Sequence, residues 1–264
     1  MMFLKKTLPQ HRFSPVNHVE FSGFSVEVVR KPYKRNMSLI IRPSGRMRVY
    51  VNRSTSVKEI YAFLRIHEKW ILRTQSEVRK LKEKYPPKKF MEGEEFLFLG
   101  QSKKLFFQES PKKRIQFYLQ DSLLVCLCSK GERSNKEKIK KALLDFYKKE
   151  GKKTLEQRVF LYAHQMQLYP KKLSFRAQKS LWGSCSSAKH ISLNWKLIAA
   201  PLWVLDYVVV HELAHLRYHN HSKRFWGLVQ RHCPQWQQSK EWLDKNRYEF
   251  EFLSVKSELW EDVS

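Results

Sequence analysis

Residues 201–226 read PLWVLDYVVVHELAHLRYHNHSKRFW, and the two histidines four apart at the centre of this stretch decide what must be built around them. Pro201 can open a helix, because the first turn leaves its missing N–H unpaired in any case. Val204, Leu205 and Val208 to Val210 then give a helix that is apolar on most faces, which predicts burial. On such a helix His211 and His215 project from one side and can meet at a single metal ion. Glu212 points close to the same place, where it can take a proton from a water. A buried His-Glu-x-x-His needs a partner for its polar groups, and a metal supplies one; the expected cofactor is one Zn2+ per chain, although iron, manganese and cobalt occupy similar sites.

The third ligand follows from distance. His219 lies two turns beyond His211, about 12 Å along an unbroken helix, too far for both to reach one ion through bonds of about 2.0–2.1 Å. His221 reaches it if the helix ends and the chain turns back. Asn220 tolerates the left-handed conformation that such endings use, and Ser222 can cap a following helix. His221 is therefore the expected third ligand, with His219 at the surface or beside the ligands. The rivals are carboxylates on later helices, Glu241 and Glu249. Five of the chain's 10 histidines fall between His211 and His232, which weighs against coincidence.

Working outward, Lys223 to Arg231 and Gln235 to about Phe252 read as helices. Upstream, Leu173 to Gln178 and His190 to Trp195 read as strands, separated by a loop containing Trp182-Gly183-Ser184-Cys185. In that loop Gly183 permits a tight turn. Trp182 either floors a pocket beside the metal or packs into the core. Cys185 could compete as a soft ligand, although three histidines explain the spacing without it. Asn194 reads equally well as a substrate contact or a structural amide, and Trp226 and Trp236 as core residues of the closing helices. Ser134 or Asn135 caps a long helix reaching about Leu168, with Gly151 as a kink and Pro170 as its end.

The first half is mostly β. Phe24 to Val29, Met37 to Ile41 and Met47 to Val51 alternate apolar with polar residues and predict an opening antiparallel meander, with Pro43-Ser44-Gly45 as a turn. Thr55 or Ser56 caps one helix from Val57 to just before Pro86-Pro87. Four more short strands follow between Phe96 and Cys128. The expected class is α+β, with a boundary near residue 130: a β-rich front over 1–130 with one long helix, then an α+β back half over 131–264. No repeat is visible in the sequence itself.

Composition limits the function classes. Among 264 residues, Lys and Arg number 51 against 25 Asp and Glu, a formal net charge of +26. With 14% aromatic residues the chain can bury enough apolar surface to fold. No stretch approaches the roughly 18 apolar residues of a membrane helix, and Met1 to Phe13 lacks the apolar run of a secretory signal. The four cysteines, Cys126, Cys128, Cys185 and Cys233, form no disulfide framework, so a cytoplasmic location is expected. The basic excess concentrates in Arg79 to Lys89, Lys112-Lys113-Arg114 and Lys136 to Lys153. It reads either as a solvated face or as attraction to nucleic acid or a phosphate-bearing substrate.

Taken together, Trp182 to Ser187, Ile191 to Asn194, His211 to His215, Asn220 to Ser222 and Phe225-Trp226 resemble the YgjP-like metal-dependent hydrolases, which belong with the SprT-like and related small zincins. Arg42 to Val51 and Trp70-Ile71 resemble the family's N-terminal part. The resemblance implies a zincin-like catalytic domain over 131–264, with a short sheet packed on the active-site helix, His211, His215 and His221 as metal ligands, and Glu212 as catalytic acid/base. It departs at Leu181, where the family pattern carries Arg, which leaves Arg176 and Lys179 as the nearby cations. The leading expectation is a zinc metallopeptidase acting on a peptide or protein. The rivals are a nucleotide phosphoanhydride hydrolase at the same site, a protease recruited to DNA, and a nucleic-acid-binding module with a structural zinc.

Overall fold

The computed structural model describes residues 17–111, 114–178, 181–254 and 259. Met1 to Phe13, Lys112, Lys113 and Lys179, each invoked above, lie outside the described residues. The chain divides into two compact units, one of residues 1–86 with 256–264 and one of residues 87–255.

The first unit holds strands β1 (His18–Phe21), β2 (Phe24–Lys31), β3 (Ser38–Ile41) and β4 (Met47–Asn52), then helices α1 (Val57–Ile66) and α2 (Glu68–Lys84). The sheet order is β1-β2-β4-β3, with β2 and β4 parallel. The expected meander is thus corrected. The hairpin at Pro43-Ser44-Gly45 forms between β3 and β4, but β4 and not β3 takes the place beside β2. Val26, Val28, Val49 and Val51 fill one face of the sheet, against Ile60, Leu64 and Ile71. Ser56 caps α1 in a two-way box, its hydroxyl accepting from Glu59 N–H and its own N–H donating to the Glu59 carboxylate. The one helix expected here is two. His67 N–H bonds to Leu64 O, three residues back, and the backbone restarts from a φ of -99° and ψ of 7°.

The second unit begins with β5 (Glu95–Phe98), β6 (Gln101–Glu109), β7 (Gln116–Gln120) and β8 (Leu123–Cys128). Their order, β5-β6-β8-β7, and their parallel and antiparallel pairings repeat those of the first sheet. Even the first turn repeats: Ser22-Gly23 takes φ values of 49° and 80°, and Leu99-Gly100 takes 47° and 75°. This repetition of topology was invisible in the residues, because a sheet's order is not written in its strands' composition.

The expected boundary near residue 130 falls inside this unit. The β5–β8 sheet shares one core with α3 (Lys136–Met166). Leu99 and Gly100 donate their N–H groups to Ile198 O and Ala199 O. A side chain at Gly100 would come within 2.8 Å of Pro201 Cα, so the hairpin tip is pressed on the segment that leads into the His-Glu-x-x-His helix.

Asn135 caps α3 by accepting from Lys138 N–H, and Gln167 ends it in the left-handed conformation. Ile139, Leu143, Tyr147, Gly151, Leu155, Val159 and Ala163 recur every fourth residue as its buried stripe. The helix runs unbroken through Gly151. A Cβ there would lie 2.5 Å from Trp195 O, so its role is close approach to the 3₁₀ segment Trp195–Ala199. Gly151→Ala gains about 1 kcal/mol of helix propensity but crowds a backbone carbonyl that cannot rotate aside. A net loss of about 2 kcal/mol is expected, seen as a lower denaturant midpoint; a higher midpoint would contradict this packing.

A third sheet, of β9 (Lys172–Arg176), β10 (Gly183–Cys185) and β11 (His190–Asn194), has the order β10-β11-β9. Trp182 to Cys185, expected as a loop, thus contributes an edge strand. Helix α4 (Leu202–Ala214) lies against β10 and β11 and is also touched by α3, α5 (Lys223–His232) and α6 (Trp236–Asn246). All residues from Val204 to Val210 are buried, as an all-round apolar helix requires.

Candidate metal centre

Helix α4 carries His211 and Glu212 in its last turn and ends at His215. The chain then tightens, with Leu216, Arg217 and Tyr218 N–H bonded three or four residues back. Asn220 takes no positive φ, so the expected left-handed ending is replaced by this closing turn. Ser222 caps α5, its hydroxyl accepting from Phe225 N–H, and the reversal brings His221 back over α4.

The result is convergence of three imidazoles. His211 Nε2 lies 3.2 Å from both His215 Nε2 and His221 Nε2, and the three ligand atoms all fall within 4.8 Å of one another. A tetrahedral zinc with bonds of about 2.0–2.1 Å separates neighbouring nitrogens by about 3.3 Å, so the donor set fits that ion. His215 Nδ1 lies 3.0 Å from Tyr218 O. A carbonyl only accepts, so Nδ1 carries the proton and Nε2 presents its lone pair inward. Burial, and then the neighbouring imidazoles, push His211 down to about 3, so it is neutral and able to ligate at physiological pH.

Glu212 is 5% exposed. Its Oε2 has no hydrogen-bond partner, nor has His211 Nδ1. Burial alone pushes its carboxyl up to about 8. A dication held beside it favours the carboxylate form again. The carboxyl is cradled by Gly183 of β10, where an added Cβ would stand 2.6 Å from both Glu212 Cγ and Oε1. Gly183 takes no positive φ. It is required for room beside the carboxylate and not, as read from sequence, for a tight turn.

An aromatic collar encloses the histidines. Phe225, fully buried, has its ring centroid 5.0, 4.5 and 4.9 Å from those of His211, His215 and His221. Trp226 stacks on His221 at 5.6 Å and on Trp236 at 4.1 Å. These side chains fix the imidazole planes, a role missed from sequence. Its signal was the adjacency of Phe225-Trp226 to the Ser222 cap, which puts both on the first turn after His221. Trp182 packs on Phe250 with centroids 4.5 Å apart and belongs to the core, the second of its two readings. Arg158 joins α3 to α4 through a two-pronged pair with Asp206, at 2.6 and 2.7 Å.

Other residues singled out from sequence stay outside the cluster. His219 is exposed. Glu241 pairs with Lys245 at the surface, 3.5 Å away. Neither it nor Glu249 joins the three-histidine group. Burial, with the Glu212 charge behind it, pushes the Cys185 thiol up to about 11, which keeps it protonated and a poor ligand. Asn194 is structural, its amide donating to Gln178 O and Leu181 O and accepting from Lys196 N–H. Leu181, at the position where the family pattern has Arg, and Arg176 are both exposed.

A family model described as "YgjP-like, metallopeptidase domain" matches residues 35–246. Among solved structures, the chain is similar to the metallopeptidase zymogen abylysin of Pyrococcus abyssi. That match has 23% identity and a TM-score of 0.31, and covers 34% of this chain and 90% of that one. No curated protein matches the chain.

Proposed function

Because the chain belongs to the YgjP-like metallopeptidase family, we propose that this metal-dependent peptidase holds one Zn2+ between His211, His215 and His221 and uses Glu212 as its general base. The observation that carries the proposal is the convergence of three Nε2 lone pairs beside a buried, unpartnered carboxylate. When bound, the metal supplies Lewis acidity, which acidifies water and polarises a carbonyl.

The chain's own residues do the rest. Glu212 accepts the proton of the attacking water as its oxygen bonds to the scissile carbonyl carbon. It then returns that proton to the amine nitrogen as the C–N bond breaks. Phe225, His215's bond to Tyr218 and the Trp226 stack hold the imidazoles still, so nothing reorganises during the step. His221 is exposed, which leaves the mouth of the site on its side open to substrate. The four cysteines are free thiols and no helix among the described residues is long and apolar enough to cross a membrane; both fit a cytoplasmic enzyme.

The test is hydrolysis of a mixed fluorogenic peptide pool. Turnover is expected to vanish after treatment with a chelator and to return on addition of zinc. Turnover indifferent to chelation would overturn the proposal. So would pyrophosphate release from nucleoside triphosphates with no peptide cleaved.

A further inference from the structure

The metal site makes no use of the basic surface of α3. Between residues 136 and 153 this helix carries eight lysines against Glu137, Asp145 and Glu150. Two have found acidic partners, Lys138 with Glu132 at 2.8 Å and Lys152 with Glu156 at 3.7 Å. Lys141, Lys148 and Lys149, and Arg176 at the end of β9, are exposed and have no ion-pair partner among the described residues. Asp145 lies one turn from all three of these lysines without pairing to any.

These cations border two grooves that share Lys138, Lys141 and Asp145 as the ridge between them. One, of about 690 Å³, has half-buried Leu144 and Phe175 and buried Trp195 beneath exposed Lys148 and Arg176. The other, of about 570 Å³, has half-buried Phe117, Tyr118 and Phe146 beneath exposed Arg114 and Lys149.

We propose that this face of α3 binds single-stranded nucleic acid, with phosphates on Lys141, Lys148 and Arg176 and bases seated in the aromatic-floored grooves. Charge complementarity selects a polyanion, and the aromatic floors select one with free planar faces. A duplex keeps its base faces stacked inside, and an acidic peptide has no ring at every unit. The site is independent of the metal and of peptide cleavage, and binding is read without either.

The experiment is fluorescence anisotropy of labelled single-stranded oligothymidylate with the full chain across a salt series. Lys141→Gln/Lys148→Gln/Arg176→Gln is expected to weaken binding at least about tenfold and to flatten the salt slope by about 2. Lys58→Gln/Lys69→Gln/Lys80→Gln, an equal charge change on exposed positions of α1 and α2, is expected to stay within about twofold. Phe175→Leu, which keeps an apolar floor but removes the ring, is expected to weaken binding about fivefold or more. Equal weakening by the two triple variants would overturn the proposal. So would unchanged affinity in Phe175→Leu, or tighter binding of a duplex of the same length.

Discussion

Glu212→Gln is expected to keep its metal and to lose about a thousandfold in kcat, within the range that a positioned general base contributes. The amide fills the same volume, so the Gly183 cradle and the three imidazoles keep their places. It cannot accept a proton, so the attacking water stays unactivated. The change also removes a buried carboxyl that has an unpartnered oxygen, so stability should not fall. Turnover and metal content measured on one preparation check both halves. Near-normal turnover would remove Glu212 from its role, and metal loss would mean that the carboxylate supports the ion directly.

Gly183→Ala is expected to lower kcat by about a hundredfold, the scale on which a displacement of about 1 Å acts. The strand cannot retreat, because Gly183 is paired with Leu193 of β11 and Trp182 O accepts from Asn194 N–H at 2.8 Å. The new methyl group must therefore turn the Glu212 side chain away. The histidines are untouched, so metal content should hold. In the Glu212→Gln background the same substitution should cost nothing more in kcat, because the group it acts through is already disabled. An equal loss in both backgrounds would contradict positioning through Glu212.

Much of the site was legible in the sequence because helical spacing is a strong geometric statement. His211 and His215 four apart must share a face, and a capped helix starting at Ser222 obliges His221 to lie just beyond a reversal. What escaped depends on contacts between segments distant along the chain. A glycine after a tryptophan reads as a turn, and nothing local says that Gly183 meets a carboxylate almost thirty residues on. Gly151 is a second case, since the carbonyl it accommodates belongs to Trp195. Strand existence was readable from alternation. Strand order was not, because β2 pairs with β4 over its neighbour β3 through backbone groups that every residue has. The boundary expected near residue 130 follows a change of composition from β to helix, across which one core continues.

The most direct test of the central claim is metal content by mass spectrometry, on wild type and His221→Ala purified without chelator or a metal-binding tag. His221 is the histidine that only the reversal of the chain brings to the other two, so it tests the geometry and not merely the motif. About one zinc per chain in wild type, sharply reduced in His221→Ala, is the expected result. Full retention of zinc in the variant, or none in wild type after zinc is supplied, would contradict a three-histidine metal site.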